Sequence, residues 1–335
     1  MDANQPPARL RILIIRFSSM SDILLTTPVI RAISQQIEGA EIHFLVNSKN
    51  QDLLKANPRI SKIHVFQGDT KATVEALKSE NFDFIIDLQH SRRTKRICQQ
   101  LNLPCSFLKT HSFKRWFFVR VKINTLPHHH LVERYFETAK ALHVNNDHQG
   151  LEYYIPDNEQ FDTDDLPVFF EDGYVAIILD AERNTQRIPT TKIVEVASIL
   201  HKPVILLGSK EIKDIGQEIA SQLGDRAYNA CGEFSFNQCA SLIQQSACVL
   251  TGDSVFMHIA AALGKPVCSV WGSTVPEFGK YPYMPGQRQM FRMFEMCSLK
   301  CRPCGQRGYK KCPRRHFRCM TKISATEIAD WINQF

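Results

Sequence analysis

Asp22 closes a short polar turn, Ser18-Ser19-Met20-Ser21-Asp22, between the aliphatic run LRILIIRF (residues 10–17) and a helical pattern that runs from Ile23 to about Ile37. A carboxylate just past the carboxyl end of a buried strand lies where open α/β sheets bind ligands. There it could take a proton as a general base. A plain N-cap that satisfies free helix amides is the alternative. Residues 253–258 (DSVFMH) lie between the strand-like ACVL and a helix over residues 256–263. Amides at such a helix start suit a diphosphate, although His258 taken alone could be a buried histidine bonded to backbone.

Two further clusters carry possible chemistry. Lys109, Lys114, Arg115, Arg120 and Lys122 interleave with Phe113, Trp116, Phe117 and Phe118. That pattern suits lipid headgroups, an anionic glycolipid or nucleic acid, or else one solvated face over an aromatic core face. No nucleic-acid motif accompanies it, so nucleic acid is not expected as a partner. Near the end, Cys301 and Cys304 form a C-x2-C pair followed by Cys312, His316 and Cys319. Four such cysteines could hold structural zinc in a tetrahedral site. The spacing between pairs is shorter than in common zinc ribbons, and a redox disulfide or reduced structural thiols would also fit.

The elements that must position these residues read as two βα series. The runs at 10–17, 41–46 (EIHFLV), 62–66 (KIHVF) and 82–88 (FDFIIDL) alternate with helical sequence, which implies βαβ units around a parallel sheet. The basic, aromatic segment from Lys109 is expected to be largely helical. An acidic stretch with Asp157, Asn158, Asp162, Asp164 and Asp165 reads as a linker. A second series follows at 174–180 (YVAIILD), 203–207 (PVILL), 247–250 (ACVL) and 266–271 (PVCSVW). The expected domains are 1–160, 161–320 with its cysteine-rich tail, and a terminal helix over 321–335 packing back on the first domain.

Composition bounds the class. A chain of 335 residues is long for one domain and ordinary for two. It is 44% hydrophobic and 22% charged, with a formal net charge of +7. That modest excess suits an anionic ligand or surface without selecting one. The apolar run at residues 10–17 is too short and too late for a signal peptide. No stretch approaches the roughly 18 apolar residues of a membrane span. A cytoplasmic protein, possible at the cytoplasmic face of the inner membrane, with its 11 cysteines mostly reduced, is expected. The first turn also lacks the G-x-G-x-x-G with which dinucleotide-binding folds approach a pyrophosphate, which argues against an NAD enzyme.

Two stretches carry a family resemblance. RFSSMSDILLTTPVIRAI resembles the opening R-x-S-x-x-G-D-[IV]-x-x-T-x-P of glycosyltransferase family 9, the ADP-heptose:lipopolysaccharide heptosyltransferases. TGDSVFMHIAAALGKPVCSVWGSTVPEFGKYPYMPG, residues 251–286, is similar to that family's D-T-G-x-M-H-[IL]-A-A-A signature with its following K-P and W-G-x-T. The resemblance implies a bacterial enzyme of the GT-B fold, two Rossmann-like doubly wound domains facing a cleft, that works in lipopolysaccharide biosynthesis. It implies an ADP-activated, heptose-like donor, an anionic glycolipid acceptor of lipopolysaccharide-core type, and inversion in a single displacement with Asp22 as base. No cofactor is implied as a requirement. Asp253, Ser254, Val255 and His258 match the donor-diphosphate positions. Glu211, after VILLGSK, matches a glutamate at the donor ribose or base. The basic cluster Lys114, Arg115, Arg120 and Lys122 would meet the acceptor's phosphates and acidic sugars.

The chain departs from the family pattern at three places. Ser21 stands for the usual glycine, which would strain the backbone if that position needed positive φ. Gln186 stands for a lysine that meets the donor phosphates, leaving Arg183 or Arg187 to supply the charge, with Arg187 favoured. Ser254-Val255 replaces Thr-Gly. A degenerate member with little or no catalysis is therefore a second expectation, and a GT-B nucleotide-sugar epimerase a third.

Overall fold

The computed structural model describes residues 9–162, 166–170 and 172–335, so Asp164 and Asp165 of the expected linker lie outside the described residues. The chain divides into two compact units, residues 1–110 with 129–154, and residues 111–128 with 155–335.

The first unit contains β1 (Arg11–Ile15), α1 (Met20–Leu24), α2 (Thr27–Gln36), β2 (Glu41–Asn47), β3 (Lys62–Phe66), α3 (Thr70–Lys78), β4 (Phe84–Asp87), α4 (Arg92–Leu101) and β5 (Cys105–Phe107). Its sheet has the order β3-β2-β1-β4-β5, parallel at every pairing. Ile12 to Ile15 of β1 are fully buried. An unbroken aliphatic run is what a strand covered on both faces requires.

The expected helix from Ile23 to Ile37 is broken in two. Leu25 N bonds Ser21 O, ending α1, and Pro28 then occupies the first turn of α2, where its missing N–H costs nothing. Two further helices follow, α5 (Ser112–Val121) and α6 (Leu131–Ala139). They correct the expected boundary at residue 160. α6 belongs to the first unit, whereas α5 belongs to the second. Phe118 on α5 packs with Leu126, Val275 and Phe278, which explains that assignment.

The second unit continues with β6 (Val175–Ile178), α7 (Thr190–Ala197), β7 (Val204–Leu207), α8 (Lys213–Leu223), β8 (Ala227–Asn229), α9 (Phe236–Gln245), β9 (Cys248–Thr251), α10 (Val255–Ala262), β10 (Val267–Trp271), β11 (Phe291–Glu295), α11 (Arg318–Thr321) and α12 (Ala325–Ile332). Its sheet order is β11-β10-β9-β6-β7-β8. Counted from β6, that is the doubly wound order of dinucleotide-binding folds. The terminal helix is a second correction. Ile328, Ala329, Trp331 and Ile332 of α12 join the core formed by Val175, Ile193, Val196 and Leu250, so this helix completes the second unit rather than the first.

Among the described residues, no helix is long and apolar enough to cross a membrane.

Candidate functional site

In each sheet the strand order reverses between two neighbouring strands, and that reversal opens a crevice at their carboxyl ends. In the first unit the reversal lies between β1 and β4, in the second between β6 and β9. Asp22 follows β1, and Asp253 follows β9. The sequence thus placed one carboxylate at each switch point.

Asp22 is not an N-cap. Ser19 caps α1, and Asp22 occupies the third helical position of a capping box in which each side chain bonds the other's backbone N–H. Its carboxylate also pairs with Arg16, and both side chains are almost fully buried. The Arg16 guanidinium donates to Leu88 O as well, and lies 5.9 Å from the Tyr135 ring centroid. Burial works against the charge on Arg16, but Tyr135, Asp22 and Asp87 outweigh it and hold the guanidinium above its ordinary value. Tyr135 Oη donates to Asp22 O at 3.3 Å. Gln89 Oε1 accepts from Phe17 N at 3.2 Å, which ties the β1 turn to the end of β4. Ser21 lies inside α1 and is not among the residues with positive φ, so the feared backbone strain is absent.

The second switch point is built differently. Ser254 caps α10, accepting from Met257 N at 3.4 Å, and its hydroxyl meets Thr251 Oγ1 at 2.8 Å. Asp253 Oδ2 accepts from Gln186 Nε2 at 2.6 Å and from Thr274 Oγ1 at 2.7 Å. Burial raises the Asp253 carboxyl above its usual range; Thr274, Gln186 and the charge of Lys280 pull it back, while Glu182 adds to the rise. A Cβ on Gly252 would stand 2.0 Å from Gln186 O, so only glycine lets the two loops approach this closely. Val255 is the first residue of α10 and leaves that approach to Gly252.

The expected donor residues therefore separate into two groups. Asp253, Ser254, Val255 and Gln186 come together. Arg187 instead pairs with Asp180 at 2.9 Å, and Asp180 Oδ2 accepts from Ser209 N at 2.6 Å. The charge assigned to Arg187 is thus engaged by a carboxylate. Lys280 and Thr274, which carried no role in the sequence reading, also act on Asp253. Both lie in the W-G-x-T stretch and the residues just after it, where the signal was present but unassigned. Glu211 is exposed in a single turn after β7, and its hydrogen bond with Ser209 holds its carboxyl below the usual range. His258 is wholly buried within α10 and offers a ligand no exposed atom.

The basic cluster also divides. Lys114 and Arg120 are exposed on α5, with Arg115 half-buried beside them. Phe113 and Trp116 on the same helix are 74% and 49% exposed, large apolar surface for a solvated helix. Lys122, expected as an acceptor ligand, is turned to backbone carbonyls. Its ammonium donates to Val119 O at 2.6 Å, Pro303 O at 2.6 Å and Cys301 O at 3.2 Å, and burial lowers its pKa.

The tail cysteines carry free thiols. Burial and the neighbouring Cys301 and Cys312 push the Cys304 thiol up to about 11; burial pushes Cys319 to about 12. Cys301 Sγ lies 3.8 Å from His316 Nε2. Cys301, Cys304, Cys312 and Cys319 influence one another, yet among the described residues no three ligand atoms of this tail converge on one point.

A family model described as glycosyltransferase family 9 (heptosyltransferase) matches residues 71–309. Lipopolysaccharide heptosyltransferase 3 of Escherichia coli K12 is 24% identical over 308 residues, covering 81% of this chain and 89% of that protein. Lipooligosaccharide heptosyltransferase 2 of Haemophilus influenzae is 30% identical over 109 residues, 31% of each chain, so this chain spans only about a third of that relative. Among solved structures, E. coli ADP-heptose lipopolysaccharide heptosyltransferase II superposes with a TM-score of 0.71 at 18% identity over 97% of this chain and 98% of that one. That likeness shows two parallel-sheet domains of the GT-B kind.

Proposed function

This chain belongs to glycosyltransferase family 9 (heptosyltransferase), a family of transferases, and from that premise we propose that it moves a heptose-like sugar from an ADP-activated donor to an anionic glycolipid of lipopolysaccharide-core type. The observation that carries the donor half is the second switch point. Gly252, Asp253 and Ser254 bring the N-terminus of α10 to the crevice, with Gln186 and Thr274 fixing the Asp253 carboxylate. Free amides at that helix start would receive the diphosphate, and Lys280 rather than Arg187 would supply the nearby cation. The leaving ADP gains charge as the glycosidic bond breaks, and preorganised donors of this kind lower that barrier.

Asp22 is assigned the acceptor proton. Its pairing with Arg16 holds the carboxylate in place at the end of β1. The acceptor half rests on α5, where Lys114 and Arg120 accompany exposed Phe113 and Trp116. Basic heads beside aromatic rings suit a phosphorylated lipid at a membrane surface.

One observation favours a second reading, a member of the family with impaired catalysis. Asp22 is held by a buried guanidinium, and the residue that meets Asp253 is a neutral amide. Thermal shifts with ADP, UDP and GDP separate the cases. Stabilisation by ADP above the other two supports the proposed donor, since a ligand at a hundred times its Kd adds about 2.7 kcal/mol. No response to any nucleotide would sink the donor assignment. An ADP response without sugar transfer would select the impaired member.

A further inference from the structure

Far along β1 and its neighbours from the Asp22 turn, the first sheet carries a polar group in an apolar layer. Leu13, Ile15, Leu45, Val74, Leu77 and Phe82 fill one face of this sheet. Leu45 lies opposite His64 in the β2–β3 register, so His43, two residues before Leu45, shares a face with His64. His43 Nδ1 and His64 Nε2 are 2.9 Å apart. Glu80, just after α3, brings Oε2 to 3.8 Å from His43 Nδ1. These three ligand atoms lie within 4.8 Å of one another.

We propose that His43, His64 and Glu80 bind a divalent transition-metal cation, with Zn²⁺ as the probe. Two imidazole nitrogens and one carboxylate oxygen are a donor set that zinc accepts. The surroundings orient each donor toward the others. His43 Nε2 lies 3.3 Å from Glu41 Oε1. A carboxylate on the far nitrogen of a metal-binding histidine fixes its tautomer and leaves the near nitrogen's lone pair toward the ion. Arg11 in turn holds Glu41 through Nε at 2.9 Å. Lys62 occupies Oε1 of Glu80, so Oε2 is the oxygen that faces the histidines. The Phe82 ring meets both imidazoles edge-on, at 5.0 and 5.9 Å between centroids, and fixes their planes.

With the proton of His43 on Nε2, facing Glu41, His64 Nε2–H donates to His43 Nδ1 in the metal-free chain. The ion replaces that shared proton, which moves to His64 Nδ1, so no net proton is released. The site joins β3, the edge strand, to its neighbour β2 and to the end of α3. Ligands of open α/β sheets bind beyond the strands' carboxyl ends, whereas His43 and His64 are the third residues of β2 and β3. The bound cation therefore stabilises the first unit and takes no part in sugar transfer.

The test uses the full chain with Cys301→Ser and Cys304→Ser, which removes the competing tail thiols. Equilibrium dialysis should give one Zn²⁺ per chain, with a rise in melting temperature on binding. His64→Gln, whose side-chain amide can still donate to His43 Nδ1, should lose both effects while its metal-free melting stays near that of the parent. Glu41→Gln should weaken binding about 10–100-fold, the usual cost of losing such an outer partner. As a check that needs no histidine variant, the Co²⁺ form of the parent should show d–d bands without a thiolate charge-transfer band. No bound zinc in the cysteine-depleted chain, zinc undiminished in His64→Gln, or a thiolate band with Co²⁺ would each overturn the site.

Discussion

The two switch points place a carboxylate in equivalent positions of two similar sheets and then surround it oppositely. Asp22 meets a guanidinium, Arg16, which is held charged. Asp253 meets an amide and a hydroxyl, Gln186 and Thr274, and burial raises its carboxyl above the usual range. A fold that offers the same crevice twice therefore does not dictate the same chemistry twice. The neighbours do, and they differ by one full positive charge in direct contact. The first corner sets its carboxylate against a buried cation. The second surrounds its carboxyl with an amide and a hydroxyl, and burial there favours the protonated form.

The largest break in this comparison is Asp22→Asn. The amide keeps the size of the side chain but cannot accept the acceptor's proton. If Asp22 is the base, turnover should fall roughly 10²–10⁴-fold, since general-base catalysis contributes about that much. ADP binding, measured by calorimetry, should stay near the parent value because the donor residues lie in the other unit. Near-normal turnover in the variant would remove Asp22 from the mechanism and leave Arg16–Asp22 as a buried structural pair.

Gln186→Lys tests the second corner by making it resemble the first. A lysine ammonium there would have Asp253 in reach, because the present amide donates to it at 2.6 Å. It would divide its attraction between that carboxylate and a bound diphosphate. A charge-assisted hydrogen bond contributes about 1.5–3 kcal/mol, and the sharing should hold the gain in ADP affinity to the lower end, roughly tenfold. The gain should shrink with added salt. ADP binding that is tight in the parent and indifferent to this substitution would show that the loop does not contact the diphosphate.

How much of this was legible beforehand follows the physics of each element. Buried strands such as β1 announce themselves by aliphatic content, and eight strands were read at nearly the observed limits. The short strands β5 (Cys105–Phe107), β8 (Ala227–Asn229) and β11 (Phe291–Glu295) were not, because three to five half-polar residues carry no period of their own and depend on a neighbour's edge. Asp22 and Asp253 were found because they sit at strand ends within specific motifs. Arg16 lies six residues from Asp22 within the same motif, but other partners lie elsewhere in the chain: Tyr135 is 113 residues from Asp22, and Gln186 is 67 from Asp253. The present partners of Arg187 and Lys122 were illegible for the same reason. Nothing local marks Asp180 as a counter-ion, or the Cys301 and Pro303 carbonyls as the seat of an ammonium.

The smallest effect tests the electrostatic contrast directly. Because burial raises the Asp253 carboxyl, the folded chain keeps a proton there at pH values where the unfolded chain, with an ordinary value near 3.9, has released it. Folding then binds a proton, and stability falls as pH rises from about 4 through the raised folded value, levelling off above it. Asp253→Asn has no such proton. Its amide oxygen can still accept from Gln186 and Thr274, so the network survives the change. The difference in melting temperature, parent minus variant, should therefore decline from pH 4 upward and then become flat. Taking the difference cancels other groups with similar behaviour, such as Asp87, which burial also raises. A difference that instead grows with pH would mean that Asp253 is stabilised as an anion. The second corner would then work like the first, with Lys280 in the part that Arg16 plays for Asp22.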